Sequence, residues 1–181
     1  MRKDEEMIEA IMNIARDDAP KVQEGISAIG RNMFEKGMMP KDAMGISDAD
    51  AENMYAQGYQ LYNMGKYKDA RHMFTTLSMM DSTEPKYIFG MAASLHMEEK
   101  YEAAAKAYLQ MAFLSAEDPV PYYHAADCYL KLDETLSALT VLKQAAKRCG
   151  SKPEYALMKE RVDMTIANLE ADIQAELEGA P

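Results

Sequence analysis

LYNMGKYKDARHMF, Leu61–Phe74, decides how the rest of the chain is read. Shifted by 34 residues, the sequence lands on itself: Tyr67 on Tyr101, Ala70 on Ala104 and Ala138, and Phe74 on Tyr108 and Leu142. The same shift carries Gly58 onto Ala92 and Ala126, Leu61 onto Leu95 and Tyr129, and Leu77 onto Met111 and Ala145. Pro85, Pro119 and Pro153 keep the same spacing. Small residues recurring at two fixed places mark where two helices come too close for a longer side chain. Large residues at the other places fill the space that this approach leaves. Three units agreeing at so many positions leave little room for coincidence.

A helix-turn-helix unit of this length and pattern is the signature of the tetratricopeptide repeat (TPR). The predicted fold is therefore all-α, a TPR superhelix of three units (47–83, 84–117 and 118–150). A helical region, 1–46, precedes it, and a capping helix, 151–181, follows. The pattern places helix pairs at about 48–63 and 67–80, 85–97 and 101–114, and 119–131 and 135–147. Ser47 with Asp50 predicts a capping box at the first helix start. Gly65 suits the left-handed turn inside the first unit. Glu99 and Asp133 replace it in the second and third, which predicts strained or differently shaped turns. Pro85 and Pro119 suit the first turn of their helices, where no amide hydrogen is needed. Pro153 opens a long helix to about Glu178, striped by Met158, Val162, Ile166, Leu169, Ile173 and Leu177. It is in phase with the first helix of each unit, so it is expected to dock as the start of an unfinished fourth unit and close the end of the array.

Two apolar stripes lie ahead of the repeats. Met7, Ile8, Ile11, Met12, Ile14 and Ala15 form one; Val22, Ile26, Ile29, Met33 and Phe34 form the other. Gly25 and Gly30 each cost about 1 kcal/mol of helix propensity relative to Ala, so the second helix needs a surface to lean on. Ile8, Ile11, Ile26, Ile29 and Met33 are the candidate dimerisation residues. Capping of the first repeat is the other use of these stripes.

Composition narrows the function. The chain has 181 residues and a net charge of −10, with 48% apolar and 28% charged residues. An acidic chain is a poor partner for nucleic acid, which needs clustered Lys and Arg, or for an anionic membrane. No run approaches the roughly 18 apolar residues of a membrane span. The start, MRKDEEMIEA, carries acids where an export signal needs an apolar core, so a cytoplasmic protein is expected. Cys128 and Cys149 fall among apolar residues on expected helices and read as reduced, buried thiols. His72, His96 and His124 have no ligand partner at a local metal-binding spacing. No phosphate loop, nucleophile elbow or HExxH is present, and acid pairs such as Glu98-Glu99 read as solvated surface. No catalytic residue, metal or cofactor is expected. The 17 methionines serve either as core or as an adaptable binding surface.

In stacked helix pairs, the first helices turn about one residue per turn toward the inside of the array. Those residues are Glu52, Tyr55, Tyr59 and Tyr62, then Lys86, Phe89, Ala93 and His96, then Val120, Tyr123, Asp127 and Leu130. Large apolar and aromatic side chains dominate a face that the repeat core does not need. Tyrosine combines apolar area, low entropy cost and a hydroxyl that can bond a passing backbone, and Ala93 leaves room for an entering side chain. Tyr55, Tyr59, Tyr62, Phe89, Ala93, His96, Tyr123, Asp127 and Leu130 are the candidate groove for an extended apolar peptide. The other reading has the tyrosines covered by the N-terminal helices or by a second copy. Capture of a partner's C-terminal carboxylate is disfavoured, because Lys86 stands against Glu52 and Asp127.

The run GISDADAENMYAQGYQLYNMGKYKDARHMFTTLSMMDSTEPKY, Gly45–Tyr87, with the units and helix after it, resembles the class II chaperones of bacterial type III secretion. The similarity spans roughly residues 40–150. It implies a cytosolic protein, often a homodimer through its N-terminal region, whose groove takes an extended proline- and leucine-containing segment of a secreted, membrane-inserting translocator. On that implication Tyr55, Tyr59, Tyr62, Phe89, Ala93, His96 and Tyr123 are groove residues. Holding such a segment needs no cofactor; it keeps apolar surface from aggregating by mass action. A general TPR scaffold that joins proteins in a complex is the alternative.

Overall fold

The computed structural model describes residues 20–179, and no strand occurs among them. The chain forms two compact units, residues 1–50 and 51–181.

In the first unit, α1 covers 20–36 and α2 is the single turn Pro40–Ala43. Gly45 then takes a left-handed φ of 71° and lets Ile46 donate its amide back to the Lys41 carbonyl at 3.0 Å. The capping box forms: the Asp50 amide donates to Ser47 Oγ at 3.1 Å, and the Ser47 amide and hydroxyl donate to Asp50 Oδ2 at 3.2 and 2.6 Å. These bonds hold the Asp50 carboxyl below the usual carboxylate range. Along α1, Val22, Ile26 and Phe34 are exposed, Phe34 at 89%, while Ile29 and Met33 are half-buried. Ile8 and Ile11 lie outside the described residues.

The second unit is a run of helices, each packed on the next from α4 onward. They are α3 (Asp48–Asn63), α4 (Tyr67–Met80), α5 (Pro85–Met97), α6 (Tyr101–Leu114), α7 (Val120–Lys131), α8 (Thr135–Cys149) and α9 (Ala156–Gly179). The repeat positions are the core. Ala70, Ala104 and Ala138 are fully buried, as are Phe74, Tyr108 and Leu142 to within 2%. Gly58, Ala92 and Ala126 are buried where the paired helices meet. Burial of each large residue contributes about 1.5–3 kcal/mol, and each small one allows the approach that makes that burial possible.

The turns repeat too. Gly65 donates to the Tyr62 carbonyl and Lys66 to Leu61; Glu99 to His96 and Lys100 to Leu95; Asp133 to Leu130 and Glu134 to Tyr129. This is the double bond of a Schellman cap. Glu99 at φ 60° and Asp133 at φ 57° adopt the left-handed conformation of Gly65 at φ 74°. The expected strain is present, at about 1–2 kcal/mol for a residue with a Cβ, but the turns keep one shape.

Four local expectations are corrected. Pro119 caps α7 from outside, where the Val120 amide donates to Asp118 Oδ1 at 2.9 Å, because an aspartate two residues back satisfies that amide. α8 continues to Cys149, whose buried thiol extends the apolar side. Pro153–Tyr155 is a 3-10 turn, and the α-helix starts only at Ala156. Glu98 is not solvated: its side chain is 12% exposed and paired with Arg71 of α4 and with Lys100. Burial alone would raise the Glu98 carboxyl, but the bonds from Lys100 and Arg71 outweigh it and hold it low. At the far end, Val162 of α9 is fully buried against Val141, Leu142 and Ala145 of α8, flanked by Met158, Ile166 and Leu169. Lys143 meets Glu170 at 2.7 Å across the same seam. The stripe leaves the core by Leu177, which is 69% exposed.

Candidate functional site

The first helices of the units, α3, α5 and α7, carry an open depression of about 400 Å³. Six of the nine expected groove residues line it: Tyr62, Phe89, Ala93, His96, Tyr123 and Asp127. The helical repeat brings them together, since each stands about one turn or one unit from the next. Ala93 opens the space; a longer side chain there would fill it. The other three lie outside it. Tyr55 is half-buried against the rings of Phe74 and Tyr87, with centroids 5.6 and 6.0 Å away, and the Lys86 ammonium stands 5.0 Å over its ring. Tyr59 is 55% exposed, and Leu130 is half-buried.

Met97, Tyr108 and His124 complete the lining, and His124 is at its centre. Its ring stacks on Tyr108 at 5.1 Å and 19°, and meets Phe89 and Tyr123 edge-on at 5.5 and 5.6 Å. Burial lowers the His124 pKa, helped by the nearby charge of His96, so at neutral pH this ring is uncharged. Burial likewise raises the Tyr108 hydroxyl above the usual phenol range. The floor is thus a cluster of neutral rings.

The polar part of the site lies at one edge. His96 Nε2 is 3.0 Å from Asp127 Oδ2, and its Nδ1 is 3.7 Å from the Cys128 thiol. Sequence spacing gave His96 no partner, because both groups come from the next unit and only the stacking of α7 on α5 brings them in. Despite the Cys–His–Asp order, the thiol is fully buried, and desolvation followed by the Asp127 charge pushes it up to about 12. A thiol held protonated is no nucleophile at neutral pH. Among the described residues, no three His, Cys, Asp or Glu side chains stand so as to hold a metal ion. The Lys86 ammonium is taken by Glu52 at 2.6 Å.

Beyond Tyr123 a second hollow of about 230 Å³ is lined by Tyr123, Leu157, Met158 and Arg161. Reasoning from sequence missed these α9 residues and also Tyr108 and His124. Tyr108 aligns with core Phe74, so it reads as core. His124 aligns with Ala56 and Gly90; that a histidine replaces small residues was the available signal. For α9 the signal was its register with the first helices, which the groove reading did not follow past the third unit.

The tetratricopeptide repeat profile matches residues 52–82 and 85–118. Low calcium response locus protein H of Yersinia pseudotuberculosis is 29% identical over 117 residues, which cover 65% of this chain and 70% of the relative. The type III secretion chaperone SycD of Yersinia enterocolitica, in complex with a peptide of the translocator YopD, superposes with a TM-score of 0.67. It is 27% identical and covers 70% of this chain and 97% of its own. A chain of the CopN–Scc3 complex is 34% identical with a TM-score of 0.66, over 67% of this chain and 72% of that one. With the repeat, the aromatic face and these likenesses together, the chain belongs to the class II, tetratricopeptide-repeat chaperones of type III secretion.

Proposed function

We propose that this protein is a cytoplasmic chaperone that holds an extended apolar segment of a secreted translocator along the face formed by α3, α5 and α7, without catalysis. The observation that carries the reading is the depression over Ala93, walled by Tyr62, Phe89 and Tyr123 and floored by the uncharged His124–Tyr108 stack. Neutral rings accept apolar side chains, and tyrosine hydroxyls at the rim can bond a client backbone, which keeps its polar groups satisfied in an extended state. A translocator must stay soluble before it enters a membrane, and capture of its apolar segment lowers the free concentration available for self-association.

Co-expression with a translocator from the same bacterium tests this. The wild-type chain is expected to carry the client into the soluble fraction, whereas Ala93→Glu and Phe89→Glu lose it while far-UV circular dichroism stays helical. Soluble client with both helical variants would overturn the groove assignment. For α1, the exposed Val22, Ile26 and Phe34 form a surface that a second copy covers in this reading. Mass in solution is then expected to halve when residues 1–36 are removed.

A further inference from the structure

The 34-residue register that generates the groove does not stop at the third unit. Leu157, Arg161 and Met164 of α9 stand in sequence where Tyr123, Asp127 and Leu130 stand in α7. Leu157 is 78% exposed and Met164 60%, although α9 buries Val162 completely on its other side. These apolar side chains are therefore surplus to the cap. The hollow formed by Leu157, Met158 and Arg161 shares Tyr123 with the depression over Ala93, so one strand could run from one into the other.

Arg161 sets the chemistry. Lys86 is neutralised by Glu52, Lys143 by Glu170 and Lys159 by Asp163. The Arg161 guanidinium has no ion pair or hydrogen bond among the described residues, and it is exposed. In a chain of net charge −10, it is a cation on the inner register that no described residue neutralises, next to an apolar hollow. A planar guanidinium presents a fork of donors suited to a carboxylate.

We infer that the binding groove continues onto α9, where the same client segment seats a large apolar side chain against Tyr123 and Leu157 and an aspartate or glutamate on Arg161. This rests on the groove reading above and extends it to a longer segment with a defined charge. Neighbouring helices are about 10 Å apart and an extended chain rises about 3.3 Å per residue. From Ala93 on α5 past α7 to Arg161 on α9 is two such steps, so the acidic residue is expected roughly six positions from the side chain that fills the depression over Ala93.

The test uses the full-length protein and a display library of random peptides about twelve residues long, enough to span the first helices in extended form. Peptides selected on the wild type are expected to pair an apolar anchor with an acidic residue at that spacing. Arg161→Glu, at an exposed helix position, should weaken them about tenfold, the scale of a lost charge pair, and should select Lys or Arg there instead. Ala93→Glu should abolish selection of either set. If Arg161→Glu leaves affinity and acidic preference unchanged while Ala93→Glu abolishes binding, the extension onto α9 is wrong and the groove stands. If Ala93→Glu binds as the wild type does, the groove reading itself fails. A requirement for a free peptide C-terminus at Arg161 overturns the assignment of a side-chain carboxylate.

Discussion

Phe74 and Tyr108 occupy one position in successive repeats, yet the seams around them do different jobs. The Phe74 ring lies between Gly58 of α3 and Gly90 of α5. A Cβ added at either would come within 2.9 Å or 2.7 Å of the ring, so the ring is clamped and dry. At Tyr108 the counterparts are Ala92 and His124. No glycine slot is available, and the ring stacks on the imidazole, leaving a seam with polar edges that floors the depression. The repeat thus dictates that an aromatic sits at this place. The residue opposite it on the next first helix decides whether the seam closes as core or opens as a binding floor.

The largest test of the closed seam is Phe74→Ala, which should cost about 3–5 kcal/mol by leaving a cavity that two glycines cannot fill; urea unfolding measures it. Next is Gly90→Ala. Alanine gains about 1 kcal/mol of helix propensity, but overpacking against a fixed ring costs about 1–3 kcal/mol, so a net loss is expected. Gly30→Ala, with nothing within 4 Å of the added Cβ, is the control and should gain stability. If both glycines behave alike, the clamp around Phe74 is not tight.

The open seam should instead show itself in acid. The folded-state pKa of His124 is lowered, so the unfolded chain binds a proton near pH 6.5 before the folded chain does. Its contribution is whole above that pH and is lost progressively as pH falls below it toward the lowered folded-state value. His124→Phe is expected to flatten the drop in urea midpoint between about pH 7.5 and about pH 5.5, whereas Phe74 variants keep the wild-type slope. The smallest effect belongs to the turns. Glu99→Gly removes a Cβ from a left-handed residue and should gain less than about 1 kcal/mol, because glycine also loosens the unfolded chain.

Much of this was legible before any coordinates. The helix spans of the first two repeats follow from the 34-residue pattern, since the positions that must be small or large are set by contacts within a unit and between sequence neighbours. Glu98 was misread as solvated because its partner Arg71 lies across a helix pair. His96 appeared isolated because Asp127 and Cys128 belong to the following unit. Tyr108 counted only as core because register alone cannot tell a plug from a floor.

What the sequence determined by itself is the repeat: its period, its turns, its alternation of small and large residues, and the tyrosine-rich register of the first helices. Those features depend on local geometry, which a period of 34 encodes directly. Only the tertiary structure decided which rings meet, that a neutral histidine lies at the centre of the depression, and that Arg161 stands beside Leu157 at its far end. Such groupings join residues from different helices, and their distances are fixed by packing between units rather than by spacing along the chain.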